Sequence, residues 1–502
     1  MIKYFLKDNE YFYGLAINDG TLMPFNKDSI YEINLTDWHS GNQASGLLFS
    51  NLGNIFFVKK ACKCGFYKGE LYILSDEIKE YHVKGGLKKV HDFIRENIFK
   101  KCNINPPIEM FMNPQFNTWI EMGKDVTQEK VLKYANDIIK HGYKPGVLII
   151  DDCWSIDYGN WEFDLKKFLN PKFLVKELHK LGFKVILWIC PFVDFTSDVF
   201  NECVKDDLLV KTSNGSIYAS HWWNGVSAVL DLTNPKAVDW FKAKLNYLIQ
   251  VYQIDGFKLD AGDPEWYRGD SVFYNASSLA DQSRILCEIG EEYQYSELRV
   301  GFNNGISGIA HRLRDKYHSW DKDGLNTLIP NAIAMGLMGY PFLCPDMIGG
   351  GVLPNFEEEG FKFDQELFIR YAQVAAFMPM MQFSLAPWKC LSKENQKICL
   401  KTVELHEKYL PIILNNINKA KNGIPIIQSV AYRCNDDSYS NIKDEFFLGD
   451  DLLVCPQIYK AKSRKVVLPV GEWLSDLGEV YQGGEYEVDV ALNRVPTFKR
   501  IK

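Results

Sequence analysis

The chain has 502 residues and a formal net charge of −7, with 46% hydrophobic and 14% aromatic residues. That length exceeds one ordinary domain and fits a large barrel with accessory units, and the apolar content supports sizeable cores. The acidic balance, with no basic stripe to neutralise phosphates, excludes a nucleic-acid binder, and no apolar run approaches a membrane span.

Taken in order, the chain opens on Met1-Ile2-Lys3-Tyr4-Phe5-Leu6-Lys7-Asp8, which lacks the apolar core and cleavage signal of a secretory leader. The twelve cysteines show no zinc-ribbon spacing. Cys62 and Cys64 are the one close pair, and most others sit in apolar runs as small buried hydrophobes. A reduced, cytoplasmic setting is the expectation. Residues 1–105 read as short aromatic and β-branched strands punctuated by Asn18-Asp19-Gly20, Asn51-Leu52-Gly53 and Lys84-Gly85-Gly86. This pattern predicts an antiparallel, sandwich-like β-domain, with a helix over 87–99 leading onward.

From residue 106 strand and helix signals alternate. Strands are predicted over 110–119, 146–152, 184–192, 255–260, 298–303, 318–323, 339–346 and 378–384. Helices are predicted between them, over 126–141, 170–182, 234–252, 277–293 and 364–377. Asn170-Pro171 and Asn234-Pro235 have the form of helix starts, and Gly142 and Gly182 of helix stops. Eight strands with intervening helices predict a (β/α)8 TIM barrel over 106–422. The stretch 193–234 is long enough to be an insertion over its mouth. A helix over 393–420 follows, then a small C-terminal β-domain over 423–502.

The stretch Asp255-Gly256-Phe257-Lys258-Leu259-Asp260-Ala261-Gly262-Asp263 begins as a buried strand and ends in carboxylates. Lys258 and Asp260 share one face of it, and charges there must pair or do chemistry. Asp151 and Asp152, Asp323 and Asp346 also stand at predicted strand ends, which a barrel gathers at one mouth. Several carboxylates around one pocket push their pKa values apart, as an acid and a nucleophile require. A divalent cation with oxygen ligands is the alternative use of such a cluster. The neighbouring tryptophans, Trp154, Trp188, Trp222, Trp223, Trp320 and Trp388, suit a sugar ring better than an ion.

From about Phe111 to the end the sequence resembles the family 31 glycoside hydrolases. The resemblance rests on motifs in order: Phe163-Asp164, Asn170-Pro171, Leu178-His179 and Gly182-Phe183-Lys184-Val185 through Cys190-Pro191; Asp255 to Asp260; Trp320-Asp321-Lys322-Asp323; Pro345-Asp346-Met347-Ile348-Gly349-Gly350; and Phe447 to Val454 with Leu468 to Trp473. It implies retaining cleavage of an α-glycoside, with Asp260 as nucleophile and Asp323 as acid/base. Asp151, Asp152, Trp188, Lys258, Arg314, Trp320 and Asp346 are the implied substrate-binding residues. No cofactor and no metal is needed beyond the acid pair.

Three departures stand out. Lys322 replaces the usual Gly before the acid/base, Gln382-Phe383-Ser384 stands where many members carry a His, and either Arg312 or Arg314 could serve as the subsite arginine. Lys258 stands where α-glucosidases of the family have Trp, and with Asp151-Asp152 it is similar to the α-galactosidase families 27 and 36. The expected function is therefore an exo-acting α-glycosidase that favours a terminal α-galactoside, with α-glucosidase and a non-catalytic sugar binder as alternatives. The expected partner is a glycoside or oligosaccharide, with self-association left open.

Overall fold

The computed structural model describes residues 1–38, 41–100, 104–276, 278–321 and 323–502. At its centre, among the described residues, nine parallel strand segments curl into a barrel. In order around the wall they are Gln115–Asn117, Val147–Ile150, Lys184–Ile189, Gly256–Leu259, Glu297–Leu298, Ala310–Arg312, Leu343–Cys344, Met347–Ile348 and Gln382–Phe383. Leu343–Cys344 pairs with Ala310–Arg312, while Met347–Ile348 pairs with Gln382–Phe383, which returns to Gln115–Asn117. One stretch thus supplies two wall segments and makes eight staves of nine strands. It turns between them at Asp346, whose φ of 84° is a strained left-handed conformation for a residue with a Cβ.

The apolar runs explain the early strands. Val147–Ile150 is buried throughout, as expected of a parallel strand covered on both faces. The helices between strands start where the caps predict. The Asn170 side chain accepts from Phe173 N at 3.0 Å, and that of Asn234 accepts from Lys236 N at 3.1 Å. Pro235–Tyr252 buries Ala237, Phe241, Leu245 and Leu248, a stripe spaced three and four apart.

The later strands depart from expectation. The sixth stave is Ala310–Arg312, not 318–323, whose described residues form bends. His311 and Arg312 are polar yet buried, because Gln43 contacts the imidazole at 2.7 Å and Glu297 accepts from the guanidinium at 3.1 Å. Hydrophobic patterning is silent about a strand whose polarity is satisfied internally. The fifth stave is only Glu297–Leu298, and the first follows a short helix, Glu109–Met112. The helix expected over 277–293 runs Ala280–Gly290, and Ser277 lies outside the described residues.

Two four-stranded antiparallel sheets precede the barrel, and a six-stranded sheet follows it. The chain therefore folds as a TIM barrel with an N-terminal β-domain and a small C-terminal β-domain. Arg370, on the barrel helix Gln365–Ala375, donates to Val490 O at 2.6 Å and ties the last sheet to the barrel. No helix among the described residues is long and apolar enough to cross a membrane.

Candidate active site

A cavity of about 460 Å³ opens at the C-terminal ends of the barrel strands. Asp151, Lys258, Asp260, Arg299 and Asp315 lie in its wall. Asp260 is the first residue past Gly256–Leu259. Its Oδ1 accepts from Arg299 Nε at 3.0 Å, Arg299 Nη2 at 2.8 Å and Ala261 N at 2.8 Å, and its Oδ2 from Trp188 Nε1 at 3.2 Å. Burial alone would raise this carboxyl, but Arg299, Lys258 and Arg312 overcome it and hold Asp260 well below the usual carboxylate range. Asp260 is a committed carboxylate. Arg299 forks, with Nη1 and Nη2 also donating to Asp263 at 2.9 and 2.7 Å.

Lys258 Nζ donates to Asp151 Oδ2 at 2.6 Å with both side chains buried. Burial pulls the lysine down, Asp151, Asp260 and Asp315 together more than offset it, and the ammonium form is kept. Asp152 accepts from Tyr158 OH at 3.0 Å and from Asn224 Nδ2 at 2.6 Å. Burial and the adjacent Asp151 push its carboxyl up to about 6. Asn224 sits at the tip of a hairpin formed by Ser220–Trp222 and Gly225–Val229, within the insertion, beside the half-exposed Trp223.

Arg312 ends the sixth stave and serves three carboxylates. It donates through Nε to Glu297 at 3.1 Å, and through Nη1 to Asp315 and Asp346 at 2.6 Å each. Asp315 is the one of the three that faces the cavity, with 38% of its side chain exposed. Asp346 is fully buried behind it and also accepts from Lys316 N at 2.7 Å.

Residues 110–297 and 306–416 match the glycosyl hydrolases family 31 TIM-barrel domain, and residues 423–501 match the C-terminal domain of that family. The chain belongs to glycosyl hydrolase family 31. It is 35% identical over 410 residues to the myogenesis-regulating glycosidase of Mus musculus, covering 80% of this chain and 57% of that protein. It is 26% identical over 415 residues to alpha-glucosidase 2 of Bacillus thermoamyloliquefaciens, covering 74% and 50%. The chain thus spans about half the length of these curated relatives. A family 31 dextranase of Flavobacterium johnsoniae, solved with glucose, superposes with a TM-score of 0.86 at 19% identity, covering 99% of this chain and 66% of that one.

Within this family 31 barrel, Asp151, Asp152, Trp188, Lys258, Asp260 and Arg314 of the sequence-derived set line one cavity. Three others do not. Asp323 is turned to the N-terminal domain side, where Lys316 Nζ meets it at 2.5 Å and Arg314 Nε at 3.3 Å, near Asp19. The reason is the misplaced sixth stave: with the strand ending at Arg312, the carboxylate just past its end is Asp315. Trp320 donates from Nε1 to Asp364 at 3.0 Å, with Lys460 over its ring, away from the cavity. Asp346 braces Arg312 from behind. Lys322 lies outside the described residues.

Sequence reasoning missed Asp315 and Arg299. The strand expected over 298–303 places Arg299 in its interior, where an arginine demands a carboxylate partner. That demand was the available signal. Gln382, from the Gln382-Phe383-Ser384 stretch, bridges the barrel floor, donating to Gln115 at 3.1 Å and to Glu297 at 2.7 Å.

Proposed function

We propose that this chain is a retaining, exo-acting α-glycosidase, with Asp260 as nucleophile and Asp315 as acid/base. The observation that carries it is the contrast between two carboxylates of one cavity. Asp260 is locked ionised by Arg299, and Asp315 is half-exposed on a shared arginine. Asp260 would attack the anomeric carbon while Asp315 gives its proton to the departing oxygen. Asp315 would then take a proton from the water that releases the sugar. Three carboxylates share the Arg312 guanidinium, and Asp315 is the one of them that reaches the cavity. In this reading Asp323 is a domain-facing ion-pair partner.

The sugar bound at the base is a terminal α-hexose, and an α-galactoside is favoured. Lys258 can donate and Asp151 can accept at one hydroxyl of the ring, as an axial group needs. The cavity wall carries seven carboxylates against four cationic side chains, which suits a neutral sugar better than an anionic one. The α-glucoside reading is favoured by the names of relatives such as alpha-glucosidase 2. The proposal divides the chain into an N-terminal β-domain over 1–105, the catalytic barrel over 106–422 and a C-terminal β-domain over 423–502. A cytoplasmic setting goes with it, since the described cysteines are free thiols.

The test is hydrolysis of paired aryl α-galactoside and α-glucoside substrates by wild type and Asp260→Ala. Galactoside turnover that is lost in the variant supports the whole reading. Glucoside turnover keeps the mechanism and overturns the specificity. No turnover, with no covalent labelling of Asp260 by a fluorinated glycosyl donor, leaves a sugar-binding protein instead.

A further inference from the structure

The two arginine-bearing strand ends are gripped from outside the barrel. Asn42, fully buried, precedes the strand Ala44–Ser50 of the N-terminal domain. Its Nδ2 donates to Arg299 O at 3.3 Å and to Arg312 O at 3.1 Å, and its Oδ1 accepts from Arg314 N at 3.0 Å. Gly41 O accepts from Arg299 Nη1 at 2.6 Å. Trp38 Nε1 donates to Asn42 O at 3.1 Å and braces Asn42 from behind. One amide therefore joins the ends of the fifth and sixth staves. Arg299 past the first holds Asp260, and Asp315 follows the second by three residues.

We propose that Gly41 and Asn42 are positioning residues that hold Arg299 and the 312–315 turn in register, and through them Asp260 and Asp315. The inference rests on the reading of those two aspartates given above. The chemistry of the amide is what the site demands: two carbonyls need donors and one N–H needs an acceptor. A carboxamide meets all three, whereas a carboxylate has no donor and an alanine has neither. Gly41 adds a steric reason. Its φ of +66° favours glycine, and a Cβ there would lie 2.9 Å from Arg299 Nη1 and 3.4 Å from Arg314 Cβ. A contact that merely docked one domain on another would need none of this. Ser45, two residues past Gln43, is such a contact: its Oγ donates to Asn303 Oδ1 at 2.6 Å and touches neither arginine.

The charged groups facing Asp260 are Arg299, Lys258 and Arg312, with Asp263 sharing Arg299, and Asp151 and Asp315 set around Lys258. Loosening Arg299 therefore weakens the grip that keeps Asp260 ionised.

The experiment compares wild type, Asn42→Ala, Gly41→Ala and Ser45→Ala in melting temperature, in kcat/KM across pH, and in direct ¹³C NMR titration of the Asp260 carboxyl. The expected result is a fall of about 100-fold in kcat/KM for the first two variants, the scale of a 1 Å misplacement. The acid limb of the profile and the Asp260 titration should both move to higher pH. Ser45→Ala should stay within about twofold of wild type at a comparable loss of melting temperature. Equal kcat/KM and equal Asp260 titration in all four proteins overturn the inference. Should Asn42→Ala fail to fold, Gly41→Ala and Asn42→Asp carry the comparison. Wild type that turns over no glycoside and resists labelling overturns the functional reading alone, and the NMR titration still decides the positioning role.

Discussion

Lys258 Nζ lies 2.6 Å from Asp151 Oδ2, and neither side chain exposes more than 5% of its surface. Two charges this deep recover their desolvation only through each other. Lys258→Met should leave Asp151 stranded and destabilise the protein by about 3–5 kcal/mol, the scale of an uncompensated buried charge. Lys258→Met combined with Asp151→Leu should regain most of that loss in chemical denaturation. It should nevertheless hydrolyse no glycoside, because the proposed hydroxyl reader is gone.

Asp315 and Asp323 separate cleanly by kinetics. Asp315→Asn should lower kcat on substrates with poor leaving groups by about 100- to 10,000-fold, the range for a lost general acid. It should lower kcat far less on an aryl glycoside whose phenolate leaves unaided. Asp323→Asn frees Lys316, which is buried, so its effect should appear as a lower melting temperature with kcat within a few-fold. The reverse pattern would restore Asp323 as the acid.

Asp152 supplies a pH signature. Its carboxyl is raised from the ordinary 3.8 to about 6 by burial and by Asp151. A raised carboxyl favours folding in its neutral form. That contribution is present below about 3.8 and lost as pH rises through about 6. Relative to wild type, Asp152→Asn should therefore be more stable at pH 8 than at pH 4. Thermal melts of both proteins at the two pH values check the sign.

Trp223 stands at the cavity mouth, 44% exposed, with its ring edge-on to Trp266 at 5.4 Å between centroids. Stacking against the departing group should contribute about 1 kcal/mol. Trp223→Ala should then raise KM about fivefold for aryl and disaccharide substrates, with kcat nearly unchanged. A fall in kcat at constant KM would refute a purely binding role.

The barrel was legible because its early strands are apolar runs between capped helices, as in Val147–Ile150 and Pro171–Lys180. Asp260 was legible because a carboxylate on a buried face advertises its cost. The sixth stave was not. Ala310–Arg312 carries a histidine and an arginine whose burial depends on Gln43, 268 residues away, and on Glu297 of the neighbouring stave, and no local pattern encodes that. The shift then passed to the site: the carboxylate that follows the strand end into the cavity is Asp315, while Asp323 pairs with Lys316 away from it. Asn42 was invisible for a related reason: an isolated asparagine in a loop reads as a turn former until its three partners are brought to it.

The turn at Asp346 has one last consequence. A cylinder of strands is usually sealed by hydrogen bonds between its final and first staves, a seam that could gape or recruit a strand from another molecule. Here that seam, Gln382–Phe383 against Gln115–Asn117, is hydrogen-bonded, and within the seventh stave the backbone itself crosses from Leu343–Cys344 to Met347–Ile348. The wall is stitched there by covalent bonds, and a neighbouring chain finds no ladder to replace at that point.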